Sequence, residues 1–99
     1  MTITRNLNGT VLEIALEGRL DTMTAPELEA ELNQSMNGAE SLIIDLDKLE
    51  YISSAGLRVL LSAHKAMSAR NGMIVKNPNE IVQEVLEVTG FADILTIEA

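Results

Sequence analysis

Cysteine is absent from this 99-residue chain, which removes disulfides and thiolate metal sites. Tryptophan is absent as well, and tyrosine and phenylalanine occur once each, so the core must be aliphatic. Basic residues are scarce: 7 Lys and Arg stand against 15 Asp and Glu, a formal charge of −8 at pH 7. That field repels phosphate backbones and anionic bilayers, so neither direct nucleic-acid binding nor membrane insertion is expected. It keeps a small protein soluble, and it also suits a partner with a basic patch. No apolar run approaches membrane-spanning length, and Met1 to Asn6 carry no signal-peptide pattern. The expected compartment is therefore the cytoplasm, where the sequons at Asn8 and Asn33 are chance matches.

The length suits one domain, expected to span residues 1–99. A chain of this size hides roughly two thirds of its surface on folding, enough for a core but little for a deep pocket. Asn8-Gly9 is a type I′ hairpin signal, joining a weak strand from Thr2 to Leu7 with a better one from Thr10 to Glu17. Leu12, Ile14 and Leu16 alternate with Glu13 and Glu17, the period of a half-covered strand. Thr24 and Glu27 form a capping-box pattern for a helix whose stripe is Ala25, Leu28, Leu32 and Met36, closed by Asn37-Gly38. Ser41 to Leu46 reads as a strand buried on both faces.

A second helix is expected from about Ala55 to Arg70, with Leu57, Leu60, Leu61, His64 and Met67 facing inward. Met73 to Val75 is a fourth strand. Asn77, Pro78 and Glu80 repeat the helix-start signal, and Ile81, Val82, Val85 and Leu86 form the third helix's inner face. Thr89-Gly90-Phe91 reads as a C-terminal cap, and Ile94 to Ile97 as a last strand. The order β-β-α-β-α-β-α-β implies an α/β fold: a mixed, mostly parallel sheet packed with helices through right-handed crossovers.

Catalytic chemistry is thin, and the expectation is a non-enzymatic module without cofactor. No serine lies in a G-x-S-x-G elbow, and each glycine sits at a separate turn or helix end, so there is no phosphate loop. His64, the single histidine, falls on an inner helix stripe, where a packed and hydrogen-bonded residue is expected rather than a general base. Asp45 and Asp47 form the nearest thing to an acidic cluster. A receiver-type phosphoacceptor site would also need an acidic pair after the first strand and a lysine after a later one, and Asn6-Leu7-Asn8 and Lys76-Asn77-Pro78 fit poorly. Asp45 and Asp47 are expected instead at a strand edge, polarising the loop that follows.

What remains is the turn Tyr51-Ile52-Ser53-Ser54-Ala55-Gly56-Leu57. Tyr51-Ile52 can anchor it to the core, and Ala55-Gly56 permits close backbone approach. Ser53 or Ser54 can serve simply as a helix N-cap. Either can equally hold a phosphate, because a helix N-terminus offers unpaired N–H groups and the positive end of the macrodipole.

Four stretches together resemble the STAS domain, in particular the single-domain anti-sigma factor antagonists of bacteria. They are Glu17-Gly18-Arg19-Leu20-Asp21, Leu42 to Leu46, Tyr51 to Leu57, and Val88-Thr89-Gly90-Phe91; the Ser-Ser-Ala-Gly-Leu element is the most specific of them. The resemblance covers essentially the whole chain. It implies a protein that, when unphosphorylated, sequesters a serine-kinase anti-sigma factor and so releases a sigma factor, and that a PP2C-type phosphatase restores after phosphorylation. Ser54 matches the phosphorylated position. Ser53 stands where the family often has Asp, which makes it the runner-up acceptor. The implied partner-binding set is Asp21, Ser53, Ser54, Ala55, Gly56, Leu57 and Arg58, with Lys65 further along the same outer helix face. The other reading is a STAS subunit of a larger lipid-transport or stress-signalling assembly, using the same surface without obligatory phosphorylation.

Overall fold

The computed structural model describes residues 1–98; Ala99, the last residue of the expected domain, lies outside them. The strands are β1 (Thr2–Asn8), β2 (Val11–Leu20), β3 (Ser41–Ile52), β4 (Met73–Lys76) and β5 (Thr96–Glu98). The helices are α1 (Ala25–Ser35), α2 (Ser54–Met67) and α3 (Glu80–Val88), and a single 3₁₀ turn, Phe91–Asp93, precedes β5. This is the expected α/β order.

The five strands lie in the sequence order β1-β2-β3-β4-β5, with β1 antiparallel to β2 and every later pair parallel. Each parallel step is a strand–helix–strand unit, and three right-handed steps in one direction put all the helices on one face. Burial follows. Leu12, Ile14 and Leu16 of β2, Leu42, Ile44 and Leu46 of β3, and Met73 and Val75 of β4 are buried under the helices. The alternate residues Val11, Glu13, Ala15, Ile43, Asp45 and Ile74 remain half-buried. The run from Ser41 to Leu46 is thus covered on one face and not on both. Ile43 lies on the uncovered face between its register partners Glu13 and Ile74.

Several local expectations shift by a residue or two. The hairpin turn is Gly9-Thr10, since Asn8 already pairs with Val11. Only Gly9 takes positive φ there, +65°, so the turn places glycine at its first central position as type II′ does. Strand β3 runs on to Ile52 through register shifts against β2 beyond Ala15, which turn both Asp47 and Lys48 outward. Asp45 consequently sits within the strand and not at its end. Its carboxylate accepts from the Asp47 amide at 3.0 Å and from Asn77 Nδ2 at 3.1 Å, tying β3 to the loop before α3.

The α3 start also moves. Asn77 adopts φ +58° and is not the cap; Asn79 caps instead, its Oδ1 accepting from the Val82 amide at 2.7 Å. Beginning at Glu80, α3 buries Val82 and Leu86 and turns Ile81 outward, contrary to the inner face read from the sequence. On α2, Val59 and Ala63 join Leu57, Leu60 and Met67 in the core while Leu61 and His64 are only half-buried. His64 is not hydrogen-bonded through Nδ1, which is buried without a partner.

Candidate functional site

The strand ends Leu20 and Ile52 are register partners, both essentially buried, and they bring two turns to the same edge of the sheet. The Ser53 amide donates to the Leu20 carbonyl at 2.9 Å, so the loop after β2 and the turn after β3 are joined by their main chains. Asp21 therefore stands beside the serine turn.

The loop from Asp21 to Thr24 is held by its own side chains. Asp21 Oδ1 accepts from the Met23 amide at 3.0 Å and the Thr24 amide at 3.1 Å. The Thr24 hydroxyl accepts from the Asp21 amide at 2.9 Å and donates to the Arg19 carbonyl at 2.7 Å. Its commitment to the loop is why it does not cap α1 and why the capping box with Glu27 does not form. The Thr24 amide is the main reason that the Asp21 carboxyl lies below its ordinary value of 3.8; burial opposes this, and the Met23 amide, the Thr24 hydroxyl and the Arg19 guanidinium reinforce it. Arg19 Nε lies 3.9 Å from Asp21 Oδ2, and the guanidinium stacks 4.5 Å from the centroid of the Tyr51 ring. Tyr51 is accordingly only half-buried, and Ile52 alone anchors the turn in the core.

The two serines differ. Ser53 has extended backbone, φ −104° and ψ 175°, and its carbonyl accepts the first helical amide, that of Leu57, at 2.9 Å. Its hydroxyl caps nothing: Oγ is buried with no hydrogen-bond partner. Ser54, the first residue of α2, is exposed. The amides of Ser54, Ala55 and Gly56 precede the first intrahelical bond, and no side chain caps them. Ser54 thus sits at the positive end of a helix whose first turn contains no acidic residue.

Gly56 explains how close this turn lies to the sheet. A Cβ at that position would stand 2.6 Å from Leu20 Cγ and 3.0 Å from Ile52 Cγ1, so only glycine lets α2 seat on the two strand ends. Gly56 and Leu57 are buried and support the turn from beneath. Ala55, Arg58 and Val59 face Thr22, Pro26 and Glu29 across a shallow groove of about 250 Å³ between α1 and α2. Arg58 is exposed, one turn beyond Ser54, and takes part in no ion pair among the described residues; Lys65 is exposed further along.

The single histidine is remote from Ser54. His64 lies ten residues along the same helix, about 15 Å away at 1.5 Å per residue. Among the described residues no group of three His, Asp or Glu is placed to hold a metal ion, and no helix is long and apolar enough to cross a membrane. Sequence reasoning missed Met23, 83% exposed at the tip of the Asp21 loop. A lone methionine in a polar loop carries no periodic signal that would single it out.

The STAS domain family model matches residues 2–99. The chain belongs to the STAS domain family. Among STAS relatives, a candidate anti-sigma factor antagonist of Bordetella bronchiseptica, BtrV, is 36% identical over 89 residues, covering 88% of this chain and 77% of the relative. The crystal structure of an anti-sigma factor antagonist from Mycobacterium paratuberculosis superposes with a TM-score of 0.89 at 22% identity, covering 98% of this chain and 84% of that one. The anti-sigma factor antagonist SpoIIAA matches in its unphosphorylated form with a TM-score of 0.83, covering 99% of this chain and 89% of that one. In its phosphorylated form it matches with a TM-score of 0.75, covering 99% and 91%. Both SpoIIAA comparisons stand at 19% identity and speak for the fold.

Proposed function

We propose that this protein is an anti-sigma factor antagonist: a non-enzymatic binding module that sequesters a serine-kinase anti-sigma factor while Ser54 is unphosphorylated, and so releases a sigma factor. The observation that carries this reading is the contrast between an exposed Ser54 at an uncapped helix N-terminus and a neighbouring Ser53 whose hydroxyl is buried. A kinase can reach the first and not the second. The relative's description as an anti-sigma factor antagonist, and the existence of SpoIIAA in two phosphorylation forms, support the same assignment.

The switch is electrostatic. Transfer of the γ-phosphoryl group of ATP to Ser54 Oγ breaks the bond to the β-phosphate, releases ADP and passes the hydroxyl proton to a base on the kinase. The product adds about −1.5 to −2 charge beside the free amides of α2 and the Arg58 side chain, so the module keeps its fold. A partner docked over Asp21, Ser54, Ala55 and Arg58, with Gly56 and Leu57 beneath, must then desolvate a dianion or leave. A penalty of ~3 kcal/mol lowers affinity about a hundredfold. A PP2C-type phosphatase would hydrolyse the ester and restore the binding form.

The test incubates the purified protein with a candidate serine-kinase anti-sigma factor and ATP, followed by intact-mass and peptide mass spectrometry. One phosphate at Ser54, removed by a PP2C-type phosphatase, is the expected result. An unchanged mass together with undiminished binding would favour the assembly-subunit reading, in which the same surface docks without modification.

A further inference from the structure

Helix α3 turns only part of its apolar surface inward. Val82 and Leu86 are buried, but Ile81 is 58% and Val88 79% exposed, and with half-buried Val85 they stand at positions i, i+4 and i+7. The three line one depression of about 440 Å³ together with Glu84 and Thr89. Seven residues of helix advance about 10 Å, so the ridge matches two turns of an opposing helix. One flank of it carries charge of a single sign: Glu80, Glu84 and Glu87 are exposed along the same side of the helix. No lysine or arginine occurs anywhere from Asn77 to Glu98.

We infer that this ridge docks a basic amphipathic helix of a partner protein. Apolar side chains of that helix cover Ile81, Val85 and Val88, and its lysines or arginines reach Glu80, Glu84 and Glu87. A second copy of this chain is a poor occupant. An isologous contact would set the three glutamates of one copy against those of the other, and like charges across an interface are costly. An anionic bilayer meets the same repulsion. The inference uses neither serine and stands or falls independently of the phosphorylation reading.

The experiment titrates isotope-labelled full-length protein with a synthetic helical peptide of leucine and lysine in amphipathic register. A second peptide carries glutamate in place of each lysine. Amide shifts locate binding, and sedimentation reports mass. The lysine peptide is expected to perturb the amides from Glu80 to Thr89 and to weaken with added salt. The double variant Ile81→Asp, Val88→Asp should lower its affinity at least about tenfold with the remaining spectrum unchanged. The triple variant Glu80→Gln, Glu84→Gln, Glu87→Gln should do the same without touching the apolar ridge. The inference is overturned by perturbation elsewhere on the protein or by equal binding of the glutamate peptide. It is also overturned by a dimer that forms without peptide and is lost on Val88→Asp, which would give the ridge to a second copy.

Discussion

Helices α2 and α3 both begin where a parallel strand ends, at the same edge of the sheet, yet their first turns are built differently. At α3, Asn79 accepts the Val82 amide, its own Nδ2 donates to the Leu49 carbonyl at 3.0 Å, and Glu80 adds a carboxylate to the first turn. That end is chemically closed. At α2, Ser53 withdraws its hydroxyl into the interior, no side chain caps the amides, and no carboxylate stands in the first turn. The same secondary structure thus leaves its positive end satisfied at one site and open at the other. On that difference rests the expectation that an added anion is better accommodated at α2 than at α3.

The largest expected effect breaks the open end directly. Ser54→Ala should abolish phosphorylation while Ser53→Ala retains it, and Ser54→Asp should weaken partner binding about a hundredfold, ~3 kcal/mol, by calorimetry. Full phosphorylation of Ser54→Ala would move the acceptor elsewhere.

Gly56→Ala tests the seat beneath that end. A methyl group pressed against Leu20 and Ile52 should cost about 1–3 kcal/mol, read as a fall in Tm; unchanged stability would mean that Leu20 swings aside freely.

The caps themselves sharpen the contrast. Asn79→Ala should destabilise by ~1 kcal/mol in urea unfolding, the ordinary worth of an N-cap. Ser53→Ala should be neutral or slightly stabilising, because it removes an unpaired buried hydroxyl. Equal losses from the two variants would mean that Ser53 caps α2 in solution.

The smallest effect concerns Asp21. Its carboxyl should titrate below 3.8 by carbon NMR, held down chiefly by the Thr24 amide. Because the folded value is depressed, the stability it contributes is complete above the unfolded value and is lost as pH falls through the folded one. A midpoint at or above 3.8 would mean that the loop hydrogen bonds are not kept in solution.

Much of this architecture is legible in the chain. Period-two and period-3.6 patterns around Leu12 to Leu16 and Ala25 to Leu32 gave the right elements in the right order. The Ala55-Gly56 pair signalled close approach, and the glycine meets Leu20 and Ile52 as that signal requires. The misses share a cause. Asn77 and Asn79 are the same residue type two apart, and only tertiary partners separate them: Asp45 takes Nδ2 of the first, Leu49 that of the second. Thr24 has the right residue type for a cap, but its hydroxyl is committed to Asp21 and Arg19. The turn that follows α1 is held by Arg70, which donates to the Met36 carbonyl at 2.6 Å and the Ala39 carbonyl at 2.9 Å from more than thirty positions away, a contact no local window contains.

For the serine turn the division is similar. The sequence by itself determined that a polar turn would follow an apolar strand, that a glycine would let a helix approach closely, and that two serines would stand where that helix begins. These are matters of residue type and spacing. Which hydroxyl faces solvent was decided by the tertiary structure, because both serines have the same chemistry and adjacent positions. The Ser53 amide is drawn to the Leu20 carbonyl while Gly56 lets α2 settle against Leu20 and Ile52. In that seating one hydroxyl is buried and the next is exposed.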